Sequence, residues 1–310
     1  MRSLPEARVF TRIDLRACGW SDAAISRAVR SGRLVSLRRG QFASVDEDPS
    51  DAGLRAIAAV NGSGEGVISH RSALLLHELP LVGAPPPLPE VTVPPRRLGG
   101  LADVHLFRAT LRDEDVTAIA GAPVTSVART VVDVARHRPV TCAVAAADAA
   151  LHRELVSQAQ LEDVMLACWV WPRIRRALRA LALVDGRSES PLESVSRLVL
   201  RWMHIPPPML QAQIRDQFGR FVARVDFYWP EFGVVGEADG AMKYTDRTVI
   251  VAEKHRQEAL EELGLIVVRW GWDEVIHRSR LLQARLTRAF ERGHLRDRSG
   301  FHPRWSVSAA

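Results

Sequence analysis

The sequence is poor in cysteine and contains no long apolar run. Its three cysteines, Cys18, Cys142 and Cys168, lie far apart and lack the paired spacing of zinc sites. We therefore expect buried thiols in a reducing cytoplasm, with neither a disulfide framework nor a cysteine-bound metal. No stretch approaches the roughly 18 apolar residues of a membrane helix, and the first residues are too polar for a secretory signal. These absences predict a cytoplasmic protein with no membrane partner.

Lysine is scarce as well, so positive charge comes almost entirely from arginine. The 310 residues carry a formal net charge of +6 and a sequence pI near 10.0. Residues 1–45 contain nine arginines and no lysine, against three acidic residues. This bias permits a polyanionic partner such as DNA but does not require one. The length suits roughly two or three domains.

Residues 1–48 have the pattern of a helix, a turn, a second helix and a basic hairpin. Thr11 and Ser21 are placed to cap the two helices, and Gly19 and Gly32 to end them. This order predicts a winged helix, whose second helix enters the major groove while the wing reaches phosphates. The alternative is a small helical cap with a solvated basic face. The candidate DNA-binding residues are Ser26, Arg27, Arg30, Arg33, Arg38 and Arg39.

Short motifs in the first 133 residues carry a family resemblance. They are Thr11, Leu15, Gly19, Ile25, Val29, Gly32-Arg33-Leu34 and Arg38-Arg39-Gly40-Gln41-Phe42, then the 121–126 segment with Arg129-Thr130 and Asp133. These residues resemble the type IV abortive-infection antitoxin (AbiEi) family. The resemblance implies a transcriptional repressor that binds DNA of its own operon. A second copy of the chain and a toxin-like protein are further candidate partners.

Residues 51–183 are rich in alanine and leucine and predict a mostly helical scaffold domain. Strand-like segments occur at 91–93 and 104–107, and helices are predicted at 70–79, 127–135, 140–151, 157–167 and 172–183. His70 and His77 lie seven residues apart on one helical face, which permits metal ligands. Packing or surface histidines explain such a pair better, and this region shows no catalytic constellation.

The stretch 224–243 reads RVDFYWPEFGVVGEADGAMK and places acids inside a predicted hairpin. Asp226 lies in the first strand, and Glu237 and Asp239 lie at the end of the second. Period-two alternation turns Glu237 and Asp239 to the same face. Three carboxylates at one sheet edge repel one another, a cost usually tolerated when a cation such as Mg²⁺ or Mn²⁺ lies between them. The alternative is a solvated turn with scattered acids.

The pattern around this hairpin predicts an α/β domain at residues 186–293. Ser190 caps a helix at 191–203, and three strands follow. A long helix at 249–263 then leads to an apolar strand at 265–270 and a final helix at 273–292. The long crossover implies that the last strand runs parallel to a neighbour. Residues 294–310 are predicted to be a flexible tail.

This order, with its acids, resembles the PD-(D/E)XK restriction-endonuclease fold and its very-short-patch-repair-like group. The motifs are Glu189 and Glu193, Val225-Asp226-Phe227, Glu237-Ala238-Asp239-Gly240, Lys243-Tyr244, Glu253-Lys254-His255-Arg256 and Val267-Val268-Arg269-Trp270. The resemblance implies that Asp226 and Glu237 hold Mg²⁺ or Mn²⁺, with Glu193 or Glu189 completing the set. The predicted architecture is thus a multi-domain α/β protein with a winged helix, a mostly helical middle and a nuclease-like domain.

The sequence departs from that fold at the catalytic lysine, because Asp239 stands where lysine is usual. Lys243 or Lys254 is left for the cationic role, and either can instead be a surface ammonium. Asp239 is either a further metal ligand or the cap of the Gly240 turn. His255 can be a general base or an ordinary surface histidine. Trp270 and Trp272 can stack on bases or pack the final helix, and packing is favoured.

Three functions fit these patterns, and the first two belong to different classes. One is a DNA-binding, Mg²⁺-dependent endonuclease acting in repair or defence. The other is a non-enzymatic antitoxin-like repressor whose nuclease fold serves DNA contact or dimerisation. A third is a toxin–antitoxin component whose target is another protein. The intact hairpin carboxylates favour the nuclease, whereas the missing lysine favours the repressor.

Overall fold

The computed structural model describes residues 4–5, 7–63, 66–97, 103–240, 247–297 and 305–308. The chain forms two compact units, Met1–Ala182 and Leu183–Ala310. None of the helices in the described ranges has the length and apolar character needed to cross a bilayer.

The first unit begins with a small winged-helix-like arrangement. Its elements are β1 (Phe10–Thr11), α1 (Arg12–Ala17), α2 (Asp22–Arg30), β2 (Leu34–Arg38) and β3 (Gln41–Ser44). The three strands form an antiparallel sheet in the order β1-β3-β2. Both helices bury one apolar face against this sheet, in a core of Phe10, Leu15, Ile25, Ala28, Leu34 and Phe42.

The helix caps of this arrangement confirm the sequence prediction. The Thr11 hydroxyl accepts hydrogen bonds from the backbone amides of Ile13 and Asp14, and the Asp14 carboxylate accepts one from the Thr11 amide in return. The Ser21 hydroxyl accepts from the Ala24 amide at the start of α2. Such caps satisfy amides that have no partner within the helix. They fix where α2, the predicted recognition helix, begins.

A mixed sheet and six helices complete the first unit. They are α3 (Ala52–Ser63), β4 (Val67–Ile68), α4 (His70–Leu76), β5 (Glu90–Val93), β6 (His105–Arg108), β7 (Val116–Ile119), β8 (Ala122–Thr125), α5 (Val127–His137), α6 (Val140–His152), α7 (Gln158–Ala167) and α8 (Ile174–Leu181). The sheet order is β6-β5-β4-β8-β7. Leu37 of the wing and Val9 pack in the same apolar cluster as Leu54 of α3, so the boundary predicted between residues 48 and 51 lies inside this unit.

The prediction of a mostly helical middle region needs correction, because a five-stranded sheet runs through it. Two strand segments were expected, near β5 and β6, but the others carry little sequence signal. Strand β4 has only two residues, Val67 and Ile68. Strand β8 contains Pro123, and a proline in the sequence argues against a strand.

The second unit consists of α9 (Pro191–Trp202), β9 (Met209–Asp216), β10 (Phe221–Trp229), β11 (Val234–Ala238), α10 (Arg247–Glu262), β12 (Ile266–Trp270), α11 (Trp272–Ile276), α12 (Ser279–Asp297) and β13 (Trp305–Ser308). Strands β9, β10 and β11 are antiparallel neighbours, and β12 pairs with β11 in parallel. The predicted order of a helix, a three-strand meander, a crossover helix and a parallel strand is confirmed.

Two details of this unit differ from the prediction. The final helix is divided into α11 and α12. The tail, predicted to be flexible, includes β13, which pairs antiparallel with β9. The reason is the alternation of Trp305 and Val307, which pack partly buried on the apolar face of the sheet. The indole of Trp305 also donates a hydrogen bond of 2.7 Å to the hydroxyl of Tyr228.

Candidate carboxylate cluster and nucleic-acid interface

Three carboxylates from three elements meet near the β10–β11 hairpin. Asp226 lies on β10 and Glu237 on β11, one position beyond the paired residues Phe227 and Gly236. Glu193 lies in the first turn of α9. The Glu193 and Glu237 residues are only 7% and 5% exposed, and Asp226 is half-buried. The predicted grouping of these acids in one region is therefore present in the structure.

The pKa of Asp226 shows how closely the three groups interact. Burial, together with the smaller effect of the negative charges on Glu193 and Glu237, raises this pKa to about 7. The Ala238 amide, which donates a hydrogen bond of 2.8 Å to Asp226 Oδ2, and the Arg256 guanidinium act in the opposite direction. Asp226 therefore retains a proton near neutral pH unless more positive charge is brought to the cluster.

Each glutamate of the cluster has a specific donor. Glu237 Oε2 accepts a hydrogen bond of 2.7 Å from Arg256 Nη2 of α10. Glu193 Oε2 accepts bonds of 2.8 Å from Gln211 Nε2 and 2.9 Å from the backbone amide of Glu189. Donors of this kind offset part of the cost of burying a carboxylate.

The other predicted catalytic residues are more exposed than the cluster, or lie outside the described residues. The Asp239 side chain is 41% exposed and pairs with Arg269 at 3.1 Å. The Lys254 side chain is 75% exposed, and its described ion pair is with Glu258 at 3.6 Å. His255 is also exposed. Lys243 lies outside the described residues.

The cluster has the ligand chemistry of a divalent-metal site. Its side chains, as the structure describes them, are not arranged as such a site. Carboxylate oxygens are the ligands that Mg²⁺ and Mn²⁺ prefer, and mutual repulsion among them is what a cation would relieve. Among the residues that the structure describes, however, no group of three or more histidine, cysteine, aspartate or glutamate side chains is placed to hold a metal ion. Arg256 supplies the positive charge at Glu237.

The first unit offers a separate, basic surface on α2 and the wing. Arg27 and Arg30 are exposed on α2, Arg33 is exposed just after it, and Ser26 is half-buried. Within the described part of the chain, no ion pair involves Arg27 or Arg30. The exposed guanidiniums of α2 are therefore available to an anionic partner.

The wing adds two further arginines at the turn between β2 and β3. Arg39 is exposed and Arg38 is half-buried. Gly40 has φ of +79°, a backbone conformation that glycine adopts without strain. The turn therefore presents Arg39 at the tip of the hairpin, as a DNA-contacting wing requires.

Three acids of this region have partners of their own within the fold. Asp14 closes the capping box of α1. Asp22, at the start of α2, pairs with both Arg12 and Arg16, and Glu47 pairs with Arg8. The positive charges of Arg27 and Arg30 on α2 are thus not paired with any carboxylate among the described residues.

Comparison with known proteins finds a family match in this region. Residues 6–45 match the family described as "Transcriptional regulator, AbiEi antitoxin". The match covers the whole AbiEi-like winged helix from before β1 to the end of β3, and it confirms the N-terminal resemblance. The carboxylate cluster lies outside it.

Two proteins of Mycobacterium tuberculosis are similar over a longer stretch than the AbiEi match. They are Uncharacterized protein MT2308 of strain CDC 1551 / Oshkosh and Uncharacterized protein Rv2248 of strain ATCC 25618 / H37Rv. Each is 31% identical over 177 residues, which is 57% of this chain. The chain spans 65% of the length of each relative. The similar stretch makes up more than half of this sequence.

Two residues that donate to the carboxylate cluster, Gln211 and Arg256, were not predicted from the sequence. Arg256 was noted only as part of a motif on the crossover helix, and its pairing with Glu237 depends on how α10 packs on the sheet. Gln211 lies on β9 with φ of +51°, which is unusual for a residue other than glycine. No local pattern marks such a position, although a glutamine at a largely buried strand position is a weak signal.

Proposed function

We propose that this protein is a DNA-binding transcriptional regulator that uses its AbiEi-like winged helix to recognise DNA. The observation that carries the proposal is that the family match coincides with a winged helix whose α2 presents Arg27 and Arg30 without intramolecular ion pairs among the described residues. In such domains the second helix lies in the major groove and the wing contacts the backbone.

The two parts of this interface would have different tasks. Ser26, Arg27 and Arg30 of α2 would contact base edges and the adjacent phosphates, because arginine fits both guanine and phosphate with paired donors. Arg38 and Arg39 of the wing would contact phosphates and so set the register on the duplex. Two copies of the chain would double the site, with half-sites about one helical turn apart.

Footprinting on the DNA that precedes the protein's own gene tests this proposal. The expected result is one protected site, with an affinity well above that for unrelated DNA of the same length. Arg27→Gln combined with Arg30→Gln should abolish protection. The matched control is Arg175→Gln with Arg176→Gln, which removes two exposed arginines of α8. Equal binding to all DNA, or full protection by the α2 variant, would contradict the proposal.

A second candidate function is metal-dependent hydrolysis of DNA phosphodiester bonds by the second unit. It is favoured by the coupling of Asp226 with Glu193 and Glu237, which together with burial raises the pKa of Asp226 to about 7. Asp226, Glu237 and Glu193 would hold Mg²⁺ or Mn²⁺, with Asp239 as a further ligand. A bound divalent ion would activate water and neutralise the phosphate. Arg256, Lys243 or Lys254 would supply the additional cation.

Cleavage assays on supercoiled, linear and mismatch-bearing DNA with Mg²⁺ or Mn²⁺ test this second function. Asp226→Asn and Glu237→Gln should each abolish cutting, whereas Glu262→Gln, an exposed carboxylate at the end of α10, should not. Metal-dependent cutting that disappears only in the first two variants would support a nuclease. If no DNA is cut while all proteins bind DNA, the second unit serves DNA contact or dimerisation.

The family description also names an antitoxin, and a toxin-like protein is therefore a proposed partner. Co-expression of the chain with the product of the neighbouring gene tests this. Co-purification of the two would support direct association, and its absence would leave regulation of transcription as the function of the winged helix.

A further inference from the structure

The first unit contains a cavity of about 470 Å³ that neither proposed function uses. It lies between the β5–β6 part of the sheet, helix α5 and the segment before α8. Its volume is within the range of sites for small molecules and far too small for a macromolecule. The residues that matter for its chemistry are His70, Phe107, Arg129, Arg136, His137 and Trp171.

Arg129 forms one fixed part of the wall. It is 1% exposed, and its guanidinium donates to Asp133 at 2.8 Å and to Asp115 at 3.1 Å. Its carbon Cζ lies 4.3 Å from the centre of the Trp171 ring. The guanidinium of Arg129 thus has hydrogen-bond and aromatic partners within the protein. Arg129 therefore shapes the cavity, and it needs no ligand to offset the burial of its charge.

Arg136 differs, because its hydrogen bonding is incomplete. Its side chain is only 7% exposed. Nε donates to the carbonyl oxygen of Pro172 at 3.1 Å, and Nη1 donates to Asp133 at 2.8 Å. Nη2 donates no hydrogen bond to any residue within the described ranges. Nη2 is not fully enclosed by protein and Arg136 lines the cavity, so this donor is available to an occupant of the cavity, inside an otherwise buried guanidinium.

The two histidines of the wall supply polar but uncharged surface. Burial lowers the pKa of His70 well below its usual range, and the positive charge of nearby Arg136 adds to this effect. Burial also lowers the pKa of His137. His137 Nδ1 lies 3.0 Å from the carbonyl oxygen of Asp133 and must donate to it, because that oxygen can only accept. The positive charge of the cavity is therefore that of its arginines.

The remaining wall is aromatic. Phe107 stacks on the His70 ring with centroids 3.5 Å apart, and Trp171 lies beneath both guanidiniums. The cavity thus combines a buried cation with open donors, neutral imidazoles and flat apolar surfaces. We propose that it binds a small organic anion, whose carboxylate or phosphate group pairs with Arg136 while its apolar part packs beside Phe107.

Calorimetric titration of the full chain tests this site, with benzoate as the carboxylate probe, AMP as the phosphate probe and inorganic phosphate as the anion without an apolar part. Arg136→Gln removes the open donors, and Ala109→Trp fills the cavity while leaving every ion pair in place, since Ala109 lines it. Arg176→Gln, an exposed arginine on α8, is the matched control. Thermal unfolding verifies that each variant is folded.

The expected result is binding of benzoate or AMP that weakens at least about tenfold in both cavity variants, equivalent to removing one charge-assisted hydrogen bond or more, and is unchanged in the control. Which probe binds distinguishes a carboxylate from a phosphate ligand. Inorganic phosphate should bind more weakly than the better organic probe. Absence of binding by both organic probes at millimolar concentration, or binding insensitive to Ala109→Trp, would overturn the proposal. Neither outcome depends on DNA binding.

Discussion

Arg256 Nη2 lies 2.7 Å from Glu237 Oε2, so a protein guanidinium pairs with one of the three clustered carboxylates. Its charge also lowers the pKa of Asp226, against the larger effects of burial, Glu193 and Glu237. We predict that Arg256→Gln raises the pKa of Asp226 above about 7, measured by titration of its carboxyl carbon by NMR. Arg224→Gln, which removes the partner of Glu189, serves as the control. An unchanged titration in Arg256→Gln would contradict the arrangement.

Asp226 should make the stability of the second unit depend on pH. Its folded pKa of about 7 lies above the roughly 3.9 of an unfolded aspartate. The folded state therefore binds the proton more tightly, and the associated stability is present below the unfolded value and disappears as pH rises through 7. We predict that Asp226→Asn is more stable than the wild type at alkaline pH, by about 1–3 kcal/mol.

Urea unfolding at acidic and alkaline pH, followed by tryptophan fluorescence, measures this difference. The gain in Asp226→Asn should shrink as the pH falls toward 4, where the wild-type carboxyl is protonated in the folded state, roughly as expected for one titrating group. If the variant is less stable than the wild type at alkaline pH, burial and the neighbouring negative charges do not destabilise the ionised form of Asp226.

Gly236 lets β11 pack against two buried tryptophans. A Cβ atom at this position would lie 2.5 Å from the Trp270 ring and 3.0 Å from Trp229. Both rings are almost fully buried, so they have little room to move. We predict that Gly236→Ala destabilises the second unit by about 1–3 kcal/mol, the usual effect of overpacking. Gly240→Ala, where no atom lies within 4 Å of the added Cβ, should have much less effect in the same denaturation experiment.

The Thr11 capping box should contribute measurably to the first unit. Its hydroxyl accepts from two backbone amides at the start of α1. We predict that Thr11→Ala lowers the free energy of unfolding by about 1 kcal/mol, whereas Thr11→Ser retains most of it. Thermal unfolding compares the two variants. Equal destabilisation in both would indicate that the methyl group, and not the cap, stabilises this end of the helix.

The features that sequence predicted well are local ones. The caps at Thr11 and Ser21 and the turns at Gly19 and Gly32 depend only on neighbouring residues, and all four were placed correctly. The meander and its parallel fourth strand followed from the length of the crossover helix. Trp270 was expected to pack, and its ring is buried with its indole donating to Ser196.

The features that sequence missed depend on tertiary packing. The pairing of Arg256 with Glu237 joins residues 19 positions apart through the packing of α10 on the sheet. The two-residue strand β4 is too short to show a periodicity in the sequence. Likewise, nothing in the sequence distinguishes Arg136 from the other arginines in helices, because its role depends on its burial beside the cavity.

The salt dependence of DNA binding tests the central claim most directly. Each phosphate that the protein neutralises contributes about 0.9 to the slope of log affinity against log salt concentration. Fluorescence anisotropy should show weaker binding and a shallower slope for Arg27→Gln with Arg30→Gln, by about one unit for each phosphate that is no longer neutralised. The α8 control, Arg175→Gln with Arg176→Gln, should match the wild type. An unchanged affinity and slope in the α2 variant would contradict recognition of DNA by the winged helix.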